Sequence, residues 1–302
     1  MRVLLTGGAG FLGSAFLRRL CVRGDTPGLV ARRPDEATAH LATYLLPQQR
    51  WSSEALAGIM QRFEPDAILH LAGVRTARSL EDMYEANTFL AVRIMEAARV
   101  AAPKAKVVLI GSAAEYGIPL HANGVTREDD VCKPLTDYGI AKHAQTLHGL
   151  AMAHLGQPVI VARVSNIVGR DLPLGNVFAD MAKKIAASTG EILAGCVDVN
   201  RDFLSVDEAA RAIMQLVDTP AAVGKVVNIA SGKAQSVREG IDFLIERSGR
   251  SLSIVCDAKL LRASEVPSIS GCVARLASFG IEAPSADIRE ELRGLMDQWL
   301  GR

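Results

Sequence analysis

The stretch Val3-Leu4-Leu5-Thr6-Gly7-Gly8-Ala9-Gly10-Phe11-Leu12-Gly13 decides the fold. Val3–Thr6 reads as a buried strand, and Phe11, Leu12, Ala15, Phe16 and Leu20 then recur at helical spacing. A strand therefore passes into a helix through a turn rich in glycine. Such a turn can be tight, lets backbone approach a pyrophosphate, and lets the helix pack closely on the strand. The start of the helix adds free N–H groups and the positive end of its dipole. Strand, turn and helix in this order are what a dinucleotide requires, with Gly7, Gly10, Phe11, Leu12 and Gly13 lining its phosphates.

Working outward, Leu29–Ala31, Ala67–Leu71, Lys106–Ile110 and Val159–Val164 also read as buried strands, separated by amphipathic stretches such as Met83, Ala86, Leu90, Ile94 and Ala97. Strands buried on both faces and alternating with helices predict an α/β, doubly wound parallel sheet. The alternation weakens near Asn166, where Gly169, Pro173, Gly175 and Gly190 interrupt it, and a late strand, Val226–Ile229, is expected to rejoin the sheet. The expected division is a dinucleotide-binding domain over 1–165 plus about 203–230, and a smaller mixed C-terminal substrate lobe over about 166–202 plus 231–302.

The second strand ends in Leu29-Val30-Ala31-Arg32-Arg33-Pro34. An acid at that point would bind the ribose hydroxyls of NAD, whereas arginine accommodates the 2′-phosphate of NADP. Arg32 and Arg33 therefore favour NADP (as NADPH), with NAD the other possibility. Farther on, Tyr138-Gly139-Ile140-Ala141-Lys142 opens a helix, with Pro134 and Asp137 as start signals, and its spacing of four puts Tyr138 and Lys142 on one face. A nearby ammonium favours phenolate and so should lower the phenol's pKa. Val107-Val108-Leu109-Ile110-Gly111-Ser112 delivers a serine to the carboxyl end of a buried strand, where open α/β sheets bind ligands. Ser112 is placed there to orient a substrate oxygen toward Tyr138. Cys132 has no partner that would mark it as a nucleophile, and His143 is expected to point off the catalytic face.

With these elements in one order, the chain resembles the extended short-chain dehydrogenase/reductase family of nucleotide-sugar epimerases, dehydratases and reductases. The likeness also takes in Pro65-Asp66-Ala67-Ile68-Leu69-His70-Leu71-Ala72-Gly73, Asn87 and Arg163-Val164-Ser165-Asn166. It implies a Rossmann sheet, cofactor contacts at Leu71, Ala72, Gly73, Asn87, Tyr138 and Lys142, and catalysis by Ser112, Tyr138 and Lys142. Gly111-Ser112-Ala113-Ala114-Glu115-Tyr116-Gly117, Asn200–Asp207 and Leu261–Pro267 look most like the GDP-4-keto-6-deoxy-mannose reductase branch. By that likeness Ser112, Ala113, Asn166, Arg201 and Arg262 would touch a nucleotide diphosphate sugar. Arginine's bidentate donors suit a diphosphate. Two stretches depart from the pattern. Relatives carry an acid after the third strand where this chain has Leu46-Pro47-Gln48-Gln49-Arg50-Trp51, and Ile167-Val168-Gly169-Arg170 replaces the His and Gly-Pro of close reductases.

The resemblance implies reduction of a 4-keto sugar by NADPH. Dehydratases of the family place Asp-Glu just after the catalytic Ser or Thr, where this chain has Ala113-Ala114; Glu115, one residue on, reads as a structural partner for a basic group. The alternatives are an epimerase that retains NAD(P), and a catalytically silent NADP-binding regulator on the same fold. The chain has 302 residues, a net charge of +1, and five scattered cysteines with no C-x-x-C. That composition points away from nucleic acid, membrane, disulfide framework and metal site. A cytoplasmic location is expected, and the helices around 81–101 and 138–155 are expected to pair in a homodimer.

Overall fold

The computed structural model describes residues 1–48, 50–257 and 266–302. The first half runs β1 (Arg2–Thr6), α1 (Phe11–Arg23), β2 (Thr26–Ala31), β3 (Ala42–Leu45), α2 (Ser53–Phe63), β4 (Ala67–His70), α3 (Leu80–Tyr84), α4 (Leu90–Ala101) and β5 (Lys106–Ser112). Then come β6 (Val125–Thr126), α5 (Asp137–His154), β7 (Val159–Val164), β8 (Asn166–Val168), α6 (Val177–Ala187), β9 (Gly190–Ala194) and β10 (Asn200–Ser205). The last part holds α7 (Val206–Asp218), β11 (Val226–Ile229), β12 (Ala234–Ser236), α8 (Val237–Ser248), β13 (Leu252–Cys256), β14 (Ser268–Gly271), α9 (Ala274–Ser278) and α10 (Arg289–Leu300).

Seven parallel strands form the main sheet in the order β11-β7-β5-β4-β1-β2-β3. From β1 the chain moves outward through β2 to β3, then crosses back to β4 and moves the other way. The carboxyl ends of β1 and β4 thus flank the point where the winding reverses, which is where such sheets open a ligand crevice. This is the doubly wound Rossmann arrangement expected from the alternating pattern, and Val226–Ile229 does rejoin the sheet. β3 is an edge strand with no residue fully buried, which is why hydrophobic pattern alone does not announce it.

Both faces of the sheet are covered. Leu5, Leu69, Val108, Ala162 and Val227 pack with Phe16 of α1 and Ile213 of α7, while Leu4, Ile68, Leu109 and Val161 pack with Ile59 of α2 and Ile94 of α4. A third core joins α6, α8 and α10, with Phe178 and Phe203 rings 4.7 Å apart. Phe11, at the start of α1, packs against both the first core and the third. Above the carboxyl end of the sheet, β10 pairs with β8, β12 and β14, and β14 with β6; β9 and β13 form a separate parallel pair. Asp202 of β10 ties this region together. Its buried carboxylate accepts from the Ser231 hydroxyl and from the N–H groups of Ser231, Gly232 and Gly271, at 2.8–3.1 Å.

Candidate active site

The glycine turn lies against the end of β4. Gly7 has φ +72°, and a Cβ there would stand 2.7 Å from the Ala72 nitrogen. At Gly13 a Cβ would lie 2.3 Å from the Gly8 carbonyl oxygen, so only glycine lets α1 start this close to its own turn. Gly10 precedes α1, no side chain caps the helix, and no acid occupies its first turn. Phe11, Leu12 and Gly13 thus keep the N–H groups and dipole end that suit a phosphate. Thr6 pairs with Val30 in register, which brings the exposed Arg32 and Arg33, just past β2, level with the turn.

On the β4 side, Leu71 donates its N–H to the Thr6 carbonyl at 3.1 Å, and the Ala72 N–H reaches the Thr6 hydroxyl at 3.4 Å. The same hydroxyl lies 2.8 Å from Nδ1 of His70. Burial, reinforced by the Lys142 charge, pushes His70 down to about 3, so its imidazole is neutral. Asn87 sits in a π-helical turn between α3 and α4 and is wholly buried. It donates to the Val74 and Met83 carbonyls at 2.9 and 3.0 Å and accepts from the Val74 N–H at 3.2 Å. Its hold on the loop is close: a Cβ on Gly73 would meet the Asn87 amide oxygen at 2.7 Å and the Lys142 nitrogen at 3.3 Å.

Ser112 ends β5, in register with Val164, and its hydroxyl accepts from the Ala114 N–H at 3.2 Å. Ala113 follows in the same half-buried turn. α5 begins after Thr136, whose hydroxyl accepts from the Gly139 N–H at 3.1 Å; Pro134 and Asp137, the expected start signals, flank the actual cap. A Cβ on Gly139 would stand 2.6 Å from the Ala114 carbonyl oxygen, so α5 is seated directly on the turn after Ser112. This contact brings Tyr138, Ser112 and Lys142 to one place.

Their electrostatics differ from the sequence expectation. The Tyr138 phenol is raised, not lowered: burial dominates, the Ser112 hydroxyl and then the Arg75 charge pull it down, and the Glu115 charge pushes it up. The Lys142 ammonium donates instead to the Ile110 carbonyl at 2.9 Å and to the Gln145 side chain at 3.2 Å. Burial lowers Lys142 to about 8, with Glu115 opposing. His143 approaches the Glu115 carboxylate, its Nδ1 3.7 Å from Oε2. Glu115 itself is the structural partner of a buried base, Arg163, whose Nε and Nη2 donate to Oε2 at 3.1 and 2.9 Å. Composition alone could not have found this pair, since Glu115 lies in the turn after β5 and Arg163 near the end of β7. Arg75, unremarked in the sequence, is brought to Tyr138 by the loop that Asn87 pins.

Asn166 donates to the Asp202 carbonyl at 3.1 Å, and Arg201 donates to the Asn200 and Val266 carbonyls at 2.8 and 2.7 Å. Arg262 and Gln49 lie outside the described residues. Among the described residues no cluster of His, Cys, Asp and Glu is placed to hold a metal, and no helix is long and apolar enough to cross a membrane.

The chain thus combines a doubly wound parallel sheet, a glycine turn between β1 and α1, and a Ser112 at the end of β5 that meets Tyr138 at the start of α5. The profile of the NAD dependent epimerase/dehydratase family matches residues 3–230, and the chain belongs to that family. Over 255 residues it is 28% identical to the dTDP-6-deoxy-L-talose 4-dehydrogenase (NAD(P)(+)) of Kitasatospora kifunensis, covering 82% of this chain and 79% of that one. Over 311 residues it is 27% identical to the GDP-6-deoxy-D-mannose reductase of Pseudomonas aeruginosa, covering 100% and 98%. Among solved structures it is similar to RMD from Pseudomonas aeruginosa complexed with NADPH, with TM-score 0.81, 26% identity and full coverage of both chains. It is also similar to MoeE5 in complex with UDP-glucose and NAD, with TM-score 0.83, 27% identity, and coverage of 100% and 99%.

Proposed function

We propose that this chain reduces a 4-keto group on a nucleotide-linked 6-deoxysugar, with NADPH as the preferred cofactor. The observation that carries the reading is the pairing of the Ser112 hydroxyl with the Tyr138 phenol, with Lys142 against the Gly73 loop, Ala113 and Ala114 next to Ser112, and Glu115 engaged by Arg163. A site so built has a proton donor and an oxygen-orienting hydroxyl, and lacks the acid–base pair that water loss demands. NADPH, when bound, supplies the hydride. Tyr138 gives its proton to the substrate oxygen, Ser112 holds that oxygen, and Lys142 reaches the ribose. Gly7, Gly10, Phe11, Leu12 and Gly13 would hold the pyrophosphate, Arg32 and Arg33 the 2′-phosphate, and Leu71, Ala72 and Gly73 the nicotinamide side, with Asn87 fixing their loop. Asn166, Arg201 and Arg262 would hold the nucleotide diphosphate, and the region from about 166–202 plus 231–302 would serve as the substrate lobe.

The test is NADPH absorbance followed with GDP- and dTDP-linked 4-keto-6-deoxysugars, beside product analysis. Net NADPH consumption with a reduced sugar supports the reading. An isomerised sugar with no net consumption would assign the chain to the epimerases instead, and turnover of no carbonyl substrate would favour a cofactor-binding regulator. In the same protein, Arg32→Ala with Arg33→Ala should narrow the preference for NADPH over NADH by roughly ten- to a hundredfold, the scale of lost charge-assisted hydrogen bonds. Equal affinity of the native protein for the two cofactors would remove the NADP assignment.

A further inference from the structure

Glu115 takes no step in the reduction just described, yet it is wholly buried. Its Oε1 accepts the Ser112 N–H at 2.8 Å, completing a capping box with the Ser112 hydroxyl. Its Oε2 takes both hydrogen bonds from Arg163, which lies buried on β7. Gly111 leaves the room, since a Cβ there would stand 2.6 Å from Oε1. A neutral glutamine could cap Ser112 equally well, and burying an ion pair costs desolvation that a neutral cap avoids. The charge answers buried Arg163, and it stands against α5, where His143 Nδ1 lies 3.7 Å from Oε2 and Gly139 is seated on the Ala114 carbonyl.

We propose that Glu115 is a positioning residue: its carboxylate, anchored by Arg163, fixes the Ser112 turn on which α5 is seated and sets a negative charge beside the end of α5 that carries Tyr138. The proposal rests on the reductase reading, in which hydride adds to the carbonyl carbon, the C=O π pair moves to oxygen, and the phenol O–H breaks to protonate it. Tyrosine must start such a step protonated, and a nearby anion opposes formation of phenolate. The charged and titratable groups around Glu115 are Arg163 from β7, His143 from α5, and Tyr116 and Cys132, which adjoin Arg163. Around the phenol they are Arg75 from the loop after β4, which favours phenolate, and Glu115, which opposes it. Lys142, one turn along α5, also has its charged form favoured by Glu115.

Glu115→Gln removes the charge and retains the acceptor for Ser112. Ultraviolet titration of phenolate reads the result without substrate. The chain has four tyrosines, and subtracting a Tyr138→Phe counterpart isolates the one in question. Tyr138 should ionise about half a pH unit or more lower in Glu115→Gln than in the native protein. Should Glu115→Gln not fold with Arg163 left unpaired, Glu115→Gln with Arg163→Met removes both charges, and the shift should keep its sign. Ionisation at the same or higher pH in the variant that folds overturns the proposal. In turnover, the alkaline limb of kcat should move to lower pH with the KM for NADPH unchanged, and an unmoved limb also overturns it. A shifted titration in a protein that reduces no keto sugar supports the electrostatic role and sinks the reductase reading alone.

Discussion

At Lys142 the fold holds an ammonium out of water, with one carbonyl and one amide oxygen for partners. The sign of its effect on stability follows from burial. A lysine whose folded value falls from 10.5 to about 8 costs stability fully below about pH 8, and that cost is relieved as pH rises toward 10.5. Chemical denaturation between pH 7.5 and 10 should therefore show the native protein gaining stability relative to Lys142→Met; parallel curves would mean the ammonium is not strained by burial. For Tyr138→Phe, fold and cofactor affinity should be retained, while turnover of the keto substrate falls roughly 10²–10⁴-fold, the range for one positioned acid. Native turnover in that variant would sink the proposed chemistry. That Tyr138 and Lys142 share a face was legible, because a spacing of four is a local property of helices. The partners of Lys142 were not, because Ile110 lies on a strand 32 positions away and meets α5 only in the packed molecule.

The π-helical turn at Glu85–Phe89 shows what a single element does for the site. It turns Asn87 inward, so that one amide satisfies both backbone groups of Val74 and fixes the loop that carries Gly73 and Arg75. Asn87→Ala leaves those groups unpaired and should cost about 1–3 kcal/mol in denaturation, with a parallel loss of cofactor affinity as Gly73 moves. Unchanged denaturation would mean that water takes over both bonds. Family likeness pointed to Asn87 as a cofactor residue; its bonds to Val74 and Met83 clamp the loop that carries Gly73 and Arg75. The strands of the main sheet were readable because each is an apolar run buried on two faces. β8, β12 and β14 were not, since runs of three or four residues carry no period, and their partners on β10 come from distant parts of the chain.

Over the whole molecule, α3, the π-turn, α4 and α5 present Leu80, Phe89, Val100, Ile140 and Leu147 exposed. We expect a homodimer through these helices. Sedimentation velocity at micromolar concentration should give twice the chain mass, and Phe89→Glu with Leu147→Glu should halve it without unfolding; a native monomer would refute this. The seven-strand order has one more effect, on the making of the protein. β7 finds its outer neighbour only in β11, and residues 165–225 must be translated between them. At about 5–20 residues per second that interval lasts roughly 3–12 s. During it β7 is the bare edge of a growing sheet, able to pair with a strand of another nascent chain. The winding that opens the crevice between β1 and β4 thus leaves a newborn chain open to aggregation just before the last strand of its main sheet emerges.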